Sequence, residues 1–291
     1  MQVSVDCIPC IIRQVINSSR EAGVDPDEQY RILTTLLPLI SRVDPLKSPA
    51  ENASVILFEA YRMIGNNDPF KKVKESSNRL ALSMRPFLDR VIGHSEDPLL
   101  TAIKVAVAGN IIDVAASPDH DVRATLEEEL NRTPERLDYR AFLDLLKKGG
   151  PVVVIGDNSG EICFDFLLLA QLRKFTKELF YVVKSGPILN DATLEDAQEA
   201  GIDLLATVVT TGNNYLGIVP DLSSEEFIRV FREAHLVIAK GQANYETLEG
   251  TPFAGEKTFF LLLAKCPVIA NHLGVKCGSS VLAQNRVRDY Q

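Results

Sequence analysis

The sequence lacks the features that mark membrane-inserted, exported and nucleic-acid-binding proteins. No apolar run reaches the length needed to span a bilayer. The first residues, Met-Gln-Val-Ser-Val-Asp-Cys, show no basic region followed by an apolar stretch, so we expect no signal peptide. The formal net charge of −8 disfavours non-specific binding to nucleic acid, which requires a basic surface. These absences predict a cytoplasmic protein with reduced thiols and with no membrane or nucleic-acid partner.

Several common catalytic motifs are absent as well. The sequence has no G-x-S-x-G turn for a nucleophilic serine, no Walker lysine loop and no G-x-G-x-x-G dinucleotide loop. No D-x-D stands at a strand end, as it does in phosphatases that form an aspartyl phosphate, and the four histidines are scattered. The chemistry that these absences leave is a metal ion acting with water on a phosphate-sized anion.

The chain divides into two regions, with a boundary near residue 150 at Gly149-Gly150-Pro151. A chain of 291 residues is long for one compact core, so two packed regions are expected. Residues 1–150 show apolar residues at three- and four-residue steps and start signals such as Asp25-Pro26, which predict a helical region. We expect Pro38 to end or kink one of these helices.

Residues 151–291 have the pattern of an α/β domain. Strands and helices alternate, beginning with a strand, in the successive segments 152–155, 160–175, 180–184, 193–200, 204–209, 223–233, 235–239, 256–264 and 267–270. Alternation at this spacing predicts crossover units and a mainly parallel sheet. We expect helices on both faces of this sheet and the helical N-terminal region packed on it.

Polar residues follow two of the predicted strands. Asp157 and Asn158 come directly after the segment 152–155, and Asn190 and Asp191 follow the next strand. Open α/β sheets place their sites at the carboxyl ends of their strands. Asp157, Asn158 and Asp191 would offer oxygen ligands to a hard divalent cation in an open site that water and substrate complete. The alternative is turn chemistry, since Asp and Asn favour sharp bends beside glycine.

A third strand end carries Lys240, Gln242 and Asn244. Because an unpaired buried charge is costly, we expect Lys240 to leave the core and to contact a phosphoryl oxygen; the alternative is a solvated turn lysine. Thr211 and Gly212 follow another strand. Their hydroxyl and backbone amides would suit an anion nest, although such clusters are also generic loops.

Two further motifs leave their alternatives open. Gly109 and Asn110 interrupt an apolar helix, with Asp113 three residues on, which indicates either a site or a close helix–helix contact. Cys7 and Cys10 form a C-x-x-C, which is half of a zinc site, a redox pair or a buried thiol pair. No second C-x-x-C and no H-x-x-x-H accompanies it, and we favour a structural or regulatory role over a catalytic one.

The sequence resembles a known family in three motifs that occur in order along the chain. Gly-Asp-Asn-Ser-Gly-Glu (156–161), Gly-Pro-Ile-Leu-Asn-Asp-Ala-Thr (186–193) and Lys-Gly-Gln-Ala-Asn-Tyr-Glu (240–246) resemble the signatures of the metal-dependent damage-control phosphatases, also called domain of unknown function 89. The early Asp-Cys-Ile-Pro-Cys (6–10) and the helical Gly-Asn-Ile-Ile-Asp (109–113) resemble its cysteine-containing prokaryotic branch. The resemblance spans nearly the whole chain.

This resemblance implies a fold, a cofactor and a reaction. It implies a Rossmann-like α/β domain with a helical N-terminal region, and a divalent cation for which manganese, cobalt, nickel and magnesium are all suitable. It implies hydrolysis of phosphate monoesters of small, often damaged, metabolites such as sugar phosphates. Residue by residue, Asp157, Asn158 and Asp191 match the metal ligands and Lys240 matches the phosphate-contacting lysine. Weaker matches to the pocket wall are Asn110, Asp113, Thr211 and Gly212.

Two other functions stay open at this point. Some members of the family have been proposed to be carboxyl methyltransferases, but a G-x-G-x-G turn is usual in enzymes that use S-adenosylmethionine, and this chain has only Gly156 and Gly160 there. A non-catalytic protein that binds a phosphorylated metabolite would use the same ligands. The sequence indicates neither the natural substrate, nor the metal, nor the oligomeric state.

Overall fold

Seven strands form one sheet at the centre of the computed structural model, which describes residues 1–109 and 122–287. In chain order they are β1 (Arg136–Leu137), β2 (Val152–Ile155), β3 (Leu179–Val183), β4 (Thr207–Thr210), β5 (Leu236–Lys240), β6 (Thr258–Leu263) and β7 (Ser280–Gln284). Their spatial order is β1-β7-β6-β5-β2-β3-β4. Every neighbouring pair is parallel except β6 and β7. The predicted mainly parallel sheet is confirmed.

Helices cover both faces of this sheet. They are α1 (Cys7–Glu21), α2 (Pro26–Ile40), α3 (Pro49–Ile64), α4 (Lys71–Gly93), α5 (Pro98–Ala108), α6 (Val122–Asn131), α7 (Tyr139–Leu146), α8 (Glu161–Leu172), α9 (Leu194–Ala200), α10 (Glu225–Glu233), α11 (Gln242–Leu248) and α12 (Pro267–Leu273). Alternate residues of β2 face opposite sides. Val152 and Val154 join a core with α4, α5 and α8, whereas Val153 and Ile155 join one with α10 and α12. Each helix in the described ranges is too short or too polar to cross a membrane.

The N-terminal region packs in two places. Helices α1, α2 and α3 form a separate apolar core that also takes in Ile188 and Leu216 from the α/β part of the chain. Helices α4 and α5 instead pack on α8, in the core on one face of the sheet. The two-residue strand β1, which precedes residue 150, pairs with β7. The boundary near residue 150 stays a prediction, and the part before it contributes one short edge strand.

Local sequence signals account for several helix boundaries. Asp25 caps α2 by accepting two backbone N–H groups of the first turn at 3.1 Å. Ser48 and Glu51 form a capping box at the start of α3. Pro38 lies inside α2, which continues to Ile40, so the helix does not end at the proline. Only the last turn follows Pro38, so few backbone hydrogen bonds are affected.

The predicted alternation of strands and helices is wrong after β5. The seven residues of α11 follow β5 almost directly, in a stretch to which the predicted order assigned neither a strand nor a helix. As a result, the segment 256–264, a helix in the alternating order, contains strand β6, and the segment 267–270, a strand in that order, lies in α12. A seven-residue helix is too short to show a clear apolar period.

Ser48→Ala is expected to lower the free energy of unfolding by about 1 kcal/mol, because the Ser48 hydroxyl accepts the N–H of Glu51 at the start of α3. Urea unfolding followed by circular dichroism measures the change. Ser76→Ala, at an exposed position in α4, is the control and should change the stability by less than about 0.5 kcal/mol. Equal stability of the two variants would contradict the capping role.

Candidate active site

A cavity of about 440 Å³ lies where the segments after β2, β3 and β5 meet. Asp157 and Asn158, which follow β2, line it together with Asp191, which follows β3, and Gln242, which begins α11 after β5. The helical region supplies further lining residues from α1 and from the start of α3, among them Cys7, Cys10, Arg13 and Ala50. The structure therefore brings together the three strand ends that the sequence singled out, and α1 and α3 enclose them.

The loops after β2 and β3 are bonded directly to each other. The N–H of Ala192 donates to the carbonyl of Asp157 at 2.8 Å, and the N–H of Ser159 donates to the carbonyl of Asn190 at 2.8 Å. Asn158 and Asp191 face each other in an isolated antiparallel bridge. Backbone bonds of this kind fix Asp157, Asn158 and Asp191 relative to one another.

Leu189, just before Asn190 and Asp191, has a backbone conformation that is unusual for its residue type. Its φ of 45° lies in the left-handed region, which costs free energy for a residue with a branched side chain. Its N–H donates to the Oη of Tyr61 in α3 at 2.9 Å. Burial raises the pKa of Tyr61 to about 12, so the phenol keeps its proton. A helix of the N-terminal region thus helps to hold the loop that carries Asp191.

A second contact from the N-terminal region holds the loop after β2. The N–H of Gly160 donates to the Oδ1 of Asn78 in α4 at 2.6 Å, and the Nδ2 of Asn78 donates to the Oδ1 of Asp196 at 2.9 Å. The Oγ of Ser159 donates to the same Asp196 oxygen at 2.9 Å. Neither Asn78 nor Tyr61 was predicted, because a single polar residue within a helical pattern carries no signal of a distant partner.

Negative charge is concentrated around Asp157. Burial, followed by the Glu161 and Asp191 carboxylates, raises the pKa of Asp157 well above its ordinary value, and Lys265 and Lys240 counter this only in part. The Asp157 carboxylate lies against the backbone of Gly241, whose φ is +79°, and a Cβ at that position would overlap it. Only glycine allows this approach.

The amide of Asn158 is oriented by two carboxylates. Its Nδ2 donates to the Oδ2 of Asp157 at 3.3 Å and to the Oε1 of Glu161 at 3.2 Å. Because both bonds use the nitrogen, the amide oxygen is the atom left to face a ligand. Glu161 was part of the first sequence motif but was not predicted to belong to the site.

Lys240 is not exposed to the cavity, and the expectation that it leaves the core is wrong. Its side chain is 1% exposed, and its Nζ lies 2.7 Å from Asp165 Oδ1 and 3.0 Å from Glu161 Oε2. Tyr181 donates its hydroxyl to the other Asp165 oxygen at 2.6 Å. Burial alone lowers the pKa of Lys240, but the two carboxylates outweigh it and hold the pKa above its ordinary value. The lysine is tolerated inside because it is paired.

A second buried lysine adjoins the site and was missed. Lys184 follows β3 directly; its Nζ donates to the carbonyl of Gly217 and lies 3.9 Å from Asp191 Oδ2. Burial lowers the pKa of Lys184, and the Asp191 and Asp157 carboxylates oppose this shift. A signal for it existed, because Lys184 directly follows the apolar run of β3 and Lys240 directly follows the apolar run of β5.

Three predicted site residues lie in the framework around the cavity instead of lining it. Thr211 is buried and donates its hydroxyl to the carbonyl of Asn213 at 2.6 Å. Gly212 has a φ of +83°, and a Cβ there would overlap Ser224. The Nδ2 of Asn244 donates to the carbonyls of Gly156 at 3.2 Å and Lys240 at 2.7 Å, which ties the turn after β2 to that after β5.

The other two predicted pocket residues, Asn110 and Asp113, lie outside the described residues. Gly109 is described, and it packs against α8: a Cβ at Gly109 would lie 3.1 Å from the Cα of Glu161. This agrees with the close helix–helix contact that was one explanation of the glycine.

A family model described as the damage-control phosphatase ARMT1-like domain matches residues 3–281. The chain belongs to this family. A Pyrococcus horikoshii protein named damage-control phosphatase is 33% identical, over 99% of this chain and all of that protein. Another damage-control phosphatase, from Archaeoglobus fulgidus, is 30% identical over 97% of this chain and 98% of its own length. These names support a phosphatase role in the family, and hence a small-molecule substrate.

Two further relatives extend the comparison. An uncharacterized protein of Methanocaldococcus jannaschii is 37% identical over 97% of this chain and 95% of its own length. The crystal structure of a DUF89 family protein from Pyrococcus horikoshii superposes with a TM-score of 0.89 at 32% identity, covering 98% of this chain and all of that one. The family and the fold expected from the sequence motifs are therefore confirmed.

Lys240→Met is expected to lower the free energy of unfolding by about 3–5 kcal/mol, because it leaves the Asp165 and Glu161 carboxylates buried without a cation. Urea unfolding measures the free energy of unfolding, and the exposed Lys177→Met variant is the control. Adding Asp165→Asn to Lys240→Met should recover part of the loss. No difference between the Lys240 and Lys177 variants would contradict the buried network.

Glu246, which lines the cavity, should make stability depend on pH. Burial raises the pKa of Glu246 from 4.5 to about 7, and the Met1 amino group and the Ala50 N–H counter this in part. The folded state therefore binds more protons than the unfolded state between these values, so stability falls as pH rises through this window. We expect the melting temperature of Glu246→Gln, measured relative to that of the parent, to increase as the pH is raised from about 5 to about 8. The exposed Glu256→Gln is the control; a pH-independent difference for Glu246→Gln would contradict the assignment.

Proposed function

We propose that this protein is a metal-dependent phosphatase that hydrolyses phosphate monoesters of small metabolites, such as sugar phosphates. The observation that carries the proposal is the meeting of Asp157, Asn158 and Asp191 in one cavity. The loops that carry these residues are bonded to each other, and their carboxylates lie in an environment with excess negative charge. The names of the Pyrococcus horikoshii and Archaeoglobus fulgidus relatives give independent support for phosphatase chemistry.

The donor set fits a hard divalent cation. Asp157 and Asp191 offer carboxylate oxygens, and Asn158 offers an amide oxygen because its nitrogen is committed to two carboxylates. Burial, and then the neighbouring Glu161 and Asp191 carboxylates, raises the pKa of Asp157, and a bound cation would favour its charged form. Within residues 1–109 and 122–287 no three His, Cys, Asp or Glu side chains are arranged to hold a metal by themselves. Such a site is completed by water and substrate, and manganese, cobalt, nickel and magnesium all suit it.

The side chains that line the cavity have different roles in the proposed reaction. A bound cation would supply Lewis-acid activation of the phosphoryl group and charge neutralisation. Asp157 or Asp191 orients the attacking water and accepts its proton; direct attack of Asp157 on phosphorus is the alternative route. Arg13 and Lys265 line the same cavity and offer positive charge to the phosphate oxygens. Glu246 supplies a carboxyl that titrates near neutral pH within the same cavity.

Lys240 takes a different role from the phosphate contact expected from the sequence. Direct contact with a phosphoryl oxygen would require its ammonium to leave Asp165 and Glu161. We propose that Lys240 acts as a positioning residue: it holds Glu161, and Glu161 in turn holds the amide of Asn158. Lys240 then affects the bound substrate only indirectly, through the positions of Glu161 and Asn158.

The proposal is tested by measuring phosphate release from a panel of sugar and nucleotide phosphates with each of the four metals and with a chelator. We expect turnover that depends on the added metal and is abolished by the chelator. Absence of phosphate release from folded, metal-loaded protein with every substrate would overturn the phosphatase function. Tight retention of an intact phosphate ester under those conditions would indicate a binding protein instead.

Asp157→Ala is expected to lower turnover by at least about a hundredfold, the order seen when one group that stabilises the transition state is removed. The far-ultraviolet circular dichroism spectrum should not change, because Asp157 lies at a strand end beside the cavity. Asp144→Ala, at an exposed position of α7, is the matched control and should keep full turnover. Loss of folding in the Asp157 variant alone would mean that the residue is structural.

A further inference from the structure

Three of the five cysteines line the active-site cavity. Cys7 is the first residue of α1, Cys10 lies one turn further along the same helix, and Cys266 is the N-cap of α12. We call these three residues the thiol cluster. The remaining two do not line the cavity: Cys163 is buried in α8 and Cys277 is exposed. The cluster therefore joins the helical N-terminal region to the α/β part of the chain.

The members of the thiol cluster differ in accessibility. Cys10 is exposed and Cys266 is half-buried, so a small oxidant in the cavity can reach both sulfurs. Cys7 is buried, and its Sγ accepts the N–H of Ser4 at 3.5 Å. The Sγ of Cys266 accepts the Nε2 of Gln242 at 3.9 Å, so it lies beside a residue that also lines the cavity. Accessibility singles out Cys10 and Cys266 as the reactive pair.

Cys10 and Cys266 line the same cavity from two distant parts of the chain, α1 and the start of α12. Burial raises the pKa of Cys10, and negative charge on Glu246, then on Cys266 and then on Cys7, raises it further. The thiolate is the attacking form of a cysteine, so the raised pKa of Cys10 makes its attack on an oxidised Cys266 faster as pH rises.

A zinc site is the other use of such a cluster. In the part of the chain that the structure describes, no three His, Cys, Asp or Glu side chains converge as a metal site requires. Formation of a disulfide requires only two cysteines, and the C-x-x-C motif would contribute one of them, Cys10.

We propose that Cys10 and Cys266 form a reversible disulfide when the protein meets a peroxide. The peroxide oxidises the sulfur of Cys266 to a sulfenic acid and leaves as water or as an alcohol. The sulfur of Cys10 then attacks the sulfenic sulfur; the S–S bond forms, the S–O bond breaks, and the oxygen departs as water with the proton of the Cys10 thiol. Two thiols and one hydrogen peroxide thus give one disulfide and two waters.

The bond would link α1 to α12 beside Asp157 and Asp191, and we expect it to restrict substrate entry and lower turnover. The effect on turnover rests on the proposed phosphatase function, whereas formation of the disulfide does not. A thiol reductant would break the bond and restore the open cavity.

Mass spectrometry of the reduced protein after exposure to hydrogen peroxide tests the proposal directly. We expect alkylated, digested protein to yield a peptide pair linking Cys10 to Cys266, and phosphate release to fall by about tenfold or more because the restrained cavity misplaces the substrate. Dithiothreitol should remove the link and restore turnover. In Cys10→Ser and in Cys266→Ser the reversible loss, measured against each variant's own reduced form, should disappear.

Cys277→Ser is the matched control, because Cys277 is exposed but does not line the cavity. It should form the same linked peptide and show the same reversible loss of turnover as the parent. A link between Cys7 and Cys10, or modification confined to Cys277, would overturn the proposal. If no phosphate is released under any condition, the proposed function fails, and the linked peptide alone still decides whether the disulfide forms.

Discussion

Lys240 lies enclosed with Asp165 and Glu161 beneath the cavity, and the ion pairs among these three side chains fix the environment of the loop after β2. Removing a carboxylate from water without a partner costs several kcal/mol, so both acids depend on the lysine. Glu161 uses its second oxygen to hold the amide of Asn158. Tyr181 closes the other side of the network through Asp165. The orientation of the Asn158 amide, which lines the cavity, thus depends partly on Glu161 and Lys240, which do not line it.

The same region keeps an imbalance of charge. Four carboxylates, of Asp157, Glu161, Asp165 and Asp191, lie near two buried lysines, Lys184 and Lys240. Lys240 is committed to the inner two acids, and Lys184 lies at a longer distance from Asp191. The outer acids rely on Lys184 and on Lys265, and burial still raises the pKa of Asp157. Under the proposed function, this contrast separates an inner network, neutralised by Lys240, from the edge of the cavity where a cation would bind.

Sequence patterns predicted the parts of the structure that depend on local order. The β-branched run 152–155, followed by Gly156, Asp157 and Asn158, indicated β2 and two predicted ligands at its end, and all three predicted metal ligands line one cavity. Burial of Lys240 could not be predicted, because its partners are 75 and 79 residues away in the chain and nothing local reveals them. The support of the loops by Asn78 and Tyr61 was missed for the same reason, and α11 was missed because it is short.

The contacts of Asn78 and Tyr61 also affect the order in which the chain can fold during its synthesis. Asn78 precedes its partner Gly160 by 82 residues, and Tyr61 precedes Leu189 by 128. During synthesis the helices of the N-terminal region are translated before the loops after β2 and β3, which contain their hydrogen-bond partners. Closing contacts over such separations is slow relative to helix formation. A nascent chain therefore exposes the apolar faces of α4 and α5 until α8 has been translated, and the core of α1 to α3 lacks Ile188 and Leu216 until later still. A truncated chain ending before residue 190 would have helices but no assembled pocket.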